Sequence, residues 1–308
     1  IFHSILSSKS KTIKRIVISS IEHKALINTA KYFENLGFKV DYIPVNEEGV
    51  IDIKYLEKYL EKFSKKTALV SIMAVNNETG VIQPFMEIAE ICKHYKVPYM
   101  SDTCQLIGKS DFKFNESKLD YAIISGHKIG AMSGTGIMLI KNPHEFQSMF
   151  EGAGQENGIR GGTQNYIGIE TMAVAFEVFS QELSKLSELE KQREEFENKL
   201  KKRFPEIYIA GLEVKRLPNT TFIAYPGLMG QAIQIELEAL GIYVSTASAC
   251  GDNEPIPSHV LKAMGVNDKV SRGAIRISTS VKTSKTDNDN IYESLSKIYE
   301  KFQKIGSF

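Results

Sequence analysis

Short, nearly unbroken apolar runs recur through the first half of the chain: "RIVISS" (15–20), "KVDYIPV" (39–45), "ALVSIM" (68–73), "VPYMSD" (97–102), "YAIISG" (121–126) and "GIMLIK" (136–141). Runs of this length without polar alternation predict strands covered on both faces. Between several of them the apolar positions shift to a helical period. This predicts helices at 24–36, stopped by Gly37, at 52–63, and at 84–96, opened by Pro84. Alternation of this kind predicts an α/β fold with a largely parallel sheet. In such sheets ligands bind beyond the carboxyl ends of the strands, so the residues just after each run are where chemistry is sought.

The pattern changes after residue 150. A glycine-rich stretch, "EGAGQENGIRGGTQN" (151–165), reads either as a plain surface loop or as a binding segment. A long helical region follows over about 166–200, and its charged part, "KLSELEKQREEFENKLKKR", reads as a solvated face of a connector helix. Further strands at "IYIAG", "TTFIAY", "IYVST" and "AIRISTS" alternate with helices near 229–240, 257–264 and 288–304, which predicts a smaller α+β domain. The formal net charge of +1 gives no basic field for nucleic acid. No apolar run approaches the roughly 18 residues of a membrane span, and no secretory signal opens the chain. The three cysteines, Cys92, Cys104 and Cys250, show neither CxxC pairing nor zinc spacing. That usage predicts free thiols in a reducing, cytoplasmic setting. The opening "IFHSILSSKSKTIKRIVISS" has no initiator Met, and it reads as a start inside a domain.

The strand ends gather reactive types. Glu22 and His23 follow the first run, Asn76, Asn77 and Glu78 the third, Asp102, Cys104 and Gln105 the fourth, and Ser125, His127 and Lys128 the fifth. Taken singly, a histidine here is a solvated residue and an aspartate a turn or cap. Four such strand ends together point to one crevice. Lys128 precedes most of its glycines and no Ser or Thr follows it, which excludes a phosphate-binding P-loop. No dinucleotide fingerprint follows an early strand. The set suits pyridoxal phosphate (PLP), which needs a lysine for a Schiff base and an acid at its pyridine nitrogen. Asp102 suits the nitrogen, Gln105 the ring oxygen, and Ser125 and His127 the phosphate. A lysine in that role must lose its proton, which a partly desolvated crevice favours. His23 suits stacking on the ring and proton exchange. Cys250, on a turn-rich stretch after a strand, is the available thiol. Cys92 on a helix and Cys104 read as buried fillers.

Together, "IEHKAL", "VSIMAVNNETGVIQP", "SDTCQLIGK", "SGHKIG", "GIRGGTQN", "SACGDNEPIPSHVLKAMG" and "AIRIS" resemble the cysteine desulfurases of the class V aminotransferase superfamily. The resemblance implies the PLP-dependent transferase fold (fold type I): a large PLP-binding domain over 1–180, N-terminally incomplete, with a mainly parallel sheet of the seven-stranded type. A connector helix and small C-terminal domain fill 181–308. It also implies that the family's first strand and a phosphate-binding helix start lie upstream of residue 1, with residues 1–8 as the tail of that helix.

The resemblance further implies roles. Lys128 forms the Schiff base, Asn77 touches the cofactor or substrate, Arg276 clamps the substrate carboxylate with Arg272 as its competitor, and Thr163 reaches the cofactor phosphate of the neighbouring subunit of a homodimer. Cys250 takes sulfur from L-cysteine as a persulfide, leaving L-alanine, and passes it to an acceptor or scaffold protein for iron–sulfur cluster assembly. The acidic "GDNE" beside Cys250 opposes its ionisation, so help must come from the cofactor site or from a substrate proton transfer. A selenocysteine lyase, a class V aminotransferase and a truncated, non-catalytic relative are the alternatives. An aminotransferase would not need Cys250.

Overall fold

The computed structural model describes residues 1–7, 12–246 and 257–305. They form two units. The first comprises 1–44, 51–75 and 83–181; the second comprises 45–50, 76–82 and 182–308. Two short pieces from within 1–180 thus count with the C-terminal unit.

The first unit is built on a six-stranded sheet of β1 (Arg15–Ser19), β2 (Lys39–Ile43), β3 (Thr67–Ser71), β4 (Tyr99–Asp102), β5 (Tyr121–Ser125) and β6 (Gly136–Ile140), in the order β2-β1-β3-β4-β5-β6. The first five strands are mutually parallel, with registers such as Ile16↔Val40 and Ser101↔Ala122. β6 runs antiparallel to β5, pairing Ser125 with Gly136 and Tyr121 with Ile140. The turn between them is too short for the crossover that a parallel neighbour needs. α1 (Phe2–Ser7), α2 (Lys24–Asn35), α3 (Ile53–Phe63) and α4 (Phe85–His94) accompany this sheet. Phe2, Ile5 and Leu6 of α1 and Leu26, Ala30 and Phe33 of α2 bury with Ile16, Ile18, Leu69 and Met100 of the strands. Gly37, with φ of +89°, closes α2, where its N–H donates to the Glu34 carbonyl at 2.9 Å. Asp52 caps α3 by accepting the Tyr55 N–H at 2.9 Å. The helical region expected over 166–200 is broken: α5 (Tyr166–Glu182) ends in a tight turn at Leu183–Lys185 before α6 (Leu186–Arg203) begins.

The second unit carries a four-stranded antiparallel sheet, β7 (Tyr208–Ile209), β8 (Thr220–Ala224), β9 (Ser245–Thr246) and β10 (Ala274–Ser278), in the order β7-β8-β10-β9. With α6 and α7 (Gly230–Glu238) go α8 (His259–Ala263), α9 (Asp268–Ser271) and α10 (Lys285–Ile305). Its core joins Phe196 and Leu200 of α6, Ile223 of β8, Ile275 of β10, and Leu295 and Tyr299 of α10.

The charged face of α6 is not wholly solvated. Arg193 and Glu197 are buried. Glu197 receives both guanidinium Nη atoms of Arg216, at 2.8 and 2.6 Å, together with Arg193 at 3.2 Å and the Thr221 hydroxyl at 2.9 Å. A buried carboxylate is tolerable because these donors satisfy it, and the decisive partner, Arg216, is not on the helix.

Candidate active site

Within the first unit, the carboxyl ends of β1, β4 and β5 present the expected side chains. His23 caps α2. Its Nδ1 accepts the Ala25 N–H at 3.1 Å, so the neutral ring carries its proton on Nε2. Asp102 ends β4 and folds the next turn by accepting the Cys104 N–H on Oδ1 at 2.9 Å. The Gln105 carboxamide oxygen accepts from the Lys109 ammonium at 2.6 Å, which turns its NH₂ group outward as a donor. The Ser125 hydroxyl and His127 Nδ1 lie 2.9 Å apart at the end of β5. Lys128 follows on a single tight turn, Gly126–Ile129, closed by Gly130 in the left-handed region with φ of +90°. Gly126 is required there, because a Cβ would stand 2.2 Å from the Thr135 hydroxyl.

Lys128 is exposed and makes no hydrogen bond among the described residues, whereas the sequence reading placed it in a partly desolvated crevice. Burial raises the Cys104 thiol pKa well above its ordinary value, and Asp102 adds to the effect. The Cys92 thiol is likewise raised by burial within α4. Neither is a ready nucleophile. Cys250 lies outside the described residues.

Glu22 had no role from sequence. It is fully buried, and its Oε1 accepts from the Ser19 hydroxyl at 2.5 Å and from the Met73 N–H at 2.8 Å. Burial pushes its pKa up to about 8, partly offset by those two donors, with the Asp102 charge adding to the rise. The only signal in the sequence was a carboxylate flanked by strand and histidine. Lys109 was missed because a lone lysine after a turn reads as solvated.

Thr163 is not in that cluster. It lines a cavity of about 710 Å³ walled by β6, the glycine-rich stretch and α5, and none of Asp102, Gln105 and Lys128 is in its wall.

The second unit holds Asn77 and Arg276. Asn76 fixes the turn that contains Asn77, its Oδ1 accepting the N–H groups of Glu78 and Thr79 at 3.0 and 2.9 Å. Arg276, in β10, donates from Nη1 to the Asn77 carbonyl at 2.6 Å and from Nη2 to the Ser245 hydroxyl at 3.3 Å. Its buried Nε has no acceptor among the described residues. Burial lowers the Arg276 pKa, and the Glu78 charge opposes that shift. Arg272, by contrast, is exposed at the end of α9.

The donor set fits PLP: an unengaged amine, a carboxylate beside the strand end, an amide turned to donate, and a hydroxyl–imidazole pair. No group of metal-ligating side chains occurs among the described residues, and no helix there is long and apolar enough to cross a membrane.

A family model of class-V aminotransferases matches residues 1–291. The cysteine desulfurase IscS of Dictyoglomus turgidum is 34% identical over 304 residues, covering 98% of this chain and 76% of that one. A cysteine desulfurase of Nostoc sp. is 34% identical over 296 residues, 96% of this chain and 73% of the other. Among solved structures, a NifS-like protein matches with a TM-score of 0.88 at 35% identity, covering 98% of this chain and 79% of that one. The NifS-like protein from Rickettsia africae matches with a TM-score of 0.84 at 33% identity, covering 97% and 79%. With the fold, the lysine turn and these likenesses in agreement, the chain belongs to the class-V aminotransferase family, alongside its cysteine desulfurases.

Proposed function

We propose that the protein is a PLP-dependent cysteine desulfurase that converts L-cysteine to L-alanine and keeps the sulfur as a persulfide on Cys250. The observation that carries this reading is the placing of Asp102, Gln105, Ser125, His127 and Lys128 at the ends of the adjacent strands β4 and β5. PLP, when bound, supplies an electron sink for charge developing at the substrate α-carbon.

This chain's residues do the rest. With PLP bound, Asp102 would keep the pyridine nitrogen protonated, Gln105 would donate from its NH₂ group to the ring oxygen, and Ser125 and His127 would hold the phosphate. Lys128 Nζ takes the α-proton, and His23 Nε2 exchanges protons beside it. Arg276 binds the substrate carboxylate, since its two hydrogen bonds use one N–H on each Nη and leave a second N–H on both. Asn77, whose side chain makes no hydrogen bond among the described residues, donates to the cofactor or substrate. The Cys250 thiolate attacks the substrate sulfur: an S–S bond forms, the Cβ–S bond breaks, and the β-carbon gains a proton to become the methyl group of alanine. Sulfur then passes to an acceptor or scaffold protein serving iron–sulfur cluster assembly in the cytoplasm.

We read α5 as part of a homodimer surface through which Thr163 serves the partner's phosphate site. Tyr166, Ile167 and Val174 are 70%, 65% and 57% exposed, a density of apolar side chains that favours a partner over water.

PLP titration tests the first step. A cofactor band near the visible edge is expected, and it is lost in Lys128→Ala. Cys250→Ser keeps the band and loses sulfide release. A serine variant with full desulfurase activity would refute the persulfide route.

A further inference from the structure

We infer that Thr171 of α5 is a positioning residue that fixes the lobe carrying Lys128, and so sets how readily the lysine meets the cofactor aldehyde. The inference rests on the reading of Lys128 as the residue that PLP joins. All the groups concerned belong to the first unit.

Lys128 has no hydrogen bond of its own among the described residues, so its place is set by the backbone that carries it. Between β5 and β6 that backbone forms a closed lobe. At its neck the Gly126 N–H donates to the Thr135 carbonyl at 2.9 Å, and the Ala131 N–H returns to the Gly126 carbonyl at 3.0 Å. On the far limb the Thr135 hydroxyl donates to the Met132 carbonyl at 2.6 Å. These bonds are internal to the lobe. The bond that ties it to a helix is donated by the Met132 N–H to Thr171 Oγ1 at 3.2 Å. Thr171 is suited to accept it. Its own hydroxyl proton goes to the Gly168 carbonyl, nearly one helical turn back, at 2.8 Å, which leaves an oxygen lone pair for Met132. The helix also comes close. A Cβ on Gly168 would stand 2.3 Å from Thr135 Cγ2, and Ile129 and Ala131 pack in one cluster with Met172 and Phe176. Apolar packing holds the lobe against α5 but is non-directional. The hydrogen bond to Thr171 is directional, so it selects one position of the lobe along the helix.

The test reconstitutes the full chain with PLP and follows the size and rate of appearance of the band near the visible edge. PLP joins Lys128 by a C=N bond between its aldehyde carbon and Nζ, with loss of water. Pyridoxine 5′-phosphate carries an alcohol in place of the aldehyde. It can use the ring and phosphate contacts but cannot join the lysine, and its binding is read by calorimetry. Valine matches the shape of threonine without the acceptor, so Thr171→Val should slow the band and weaken PLP loading by roughly 2- to 10-fold. Thr171→Ser should restore both. Neither variant should change the affinity for pyridoxine 5′-phosphate. Equal weakening of the two compounds in Thr171→Val would make the effect general to the fold and overturn the proposal. So would PLP loading in Thr171→Val at the wild-type rate and affinity, or a serine variant as impaired as the valine one. Lys128→Ala separates the layers. If it loses the band while Thr171→Val loads as wild type does, only the present inference falls. If Lys128→Ala keeps the band, the reading of Lys128 falls and takes this inference with it.

Discussion

Replacing Glu22 by Gln should make the protein more stable, and the gain should depend on pH in a fixed direction. The carboxyl is fully buried, and its pKa is raised from the ordinary 4.5 to about 8. In the folded protein it keeps its proton up to about pH 8, whereas in the unfolded chain it ionises near 4.5. Between those values the unfolded state binds fewer protons, so stability falls as pH rises through that window. The full displacement corresponds to ~5 kcal/mol lost by pH 8, at about 1.4 kcal/mol per pH unit. Local relaxation reduces the observable part to about 2–4 kcal/mol. Glutamine keeps an acceptor for the Ser19 hydroxyl and the Met73 N–H but cannot ionise. Glu22→Gln and wild type should therefore unfold at nearly the same temperature near pH 5 and diverge steadily to pH 8, with the variant the more stable. The assay is thermal unfolding across that range. A melting-temperature difference independent of pH, or one favouring wild type at pH 8, would refute the reasoning.

Other consequences are as concrete. Glu197→Ala leaves the buried Arg216 and Arg193 without their shared carboxylate, and should cost about 3–5 kcal/mol in denaturant unfolding; an effect below 1 kcal/mol would mean that the cluster relaxes freely. Gly126→Ala drives a methyl group against the Thr135 hydroxyl, so a loss of about 1–3 kcal/mol and weaker PLP binding are expected from melting curves and cofactor titration. Lys109→Met frees the Gln105 amide to rotate, and should weaken PLP binding several-fold without changing the melting temperature of the apo form, while Lys109→Arg restores the affinity. An equal loss in the arginine variant would remove Lys109 from the site.

What could be read from sequence was local in origin. The strands of the first sheet were legible because burial on both faces forces continuous apolar runs, and Asp102 and Lys128 stood out because strand ends point to a crevice. The direction of β6 was not legible, since it depends on how briefly the chain turns between Ser125 and Gly136. Glu22 was visible as a residue but not as a buried one, because one of the donors that hold it, the Met73 amide, comes from the chain just after β3, some fifty residues away. Glu197 looked solvated for the same reason: Arg216 reaches it from beyond the helix. The exposure of Lys128 was not legible, because it depends on the tight turn Gly126–Ile129 that follows β5.

The segment Asn76–Ile82 belongs with a unit whose remainder, apart from 45–50, begins only at residue 182. During synthesis it leaves the ribosome long before its partners Lys215, Leu217, Ser258 and Arg276 exist. The C-terminal chain alone therefore lacks residues 45–50 and 76–82 of the second unit, and the first 181 residues alone lack the partners of the 76–82 turn. Division of the gene at the apparent boundary would put this seven-residue turn, like residues 45–50, on a different fragment from the residues that shape it.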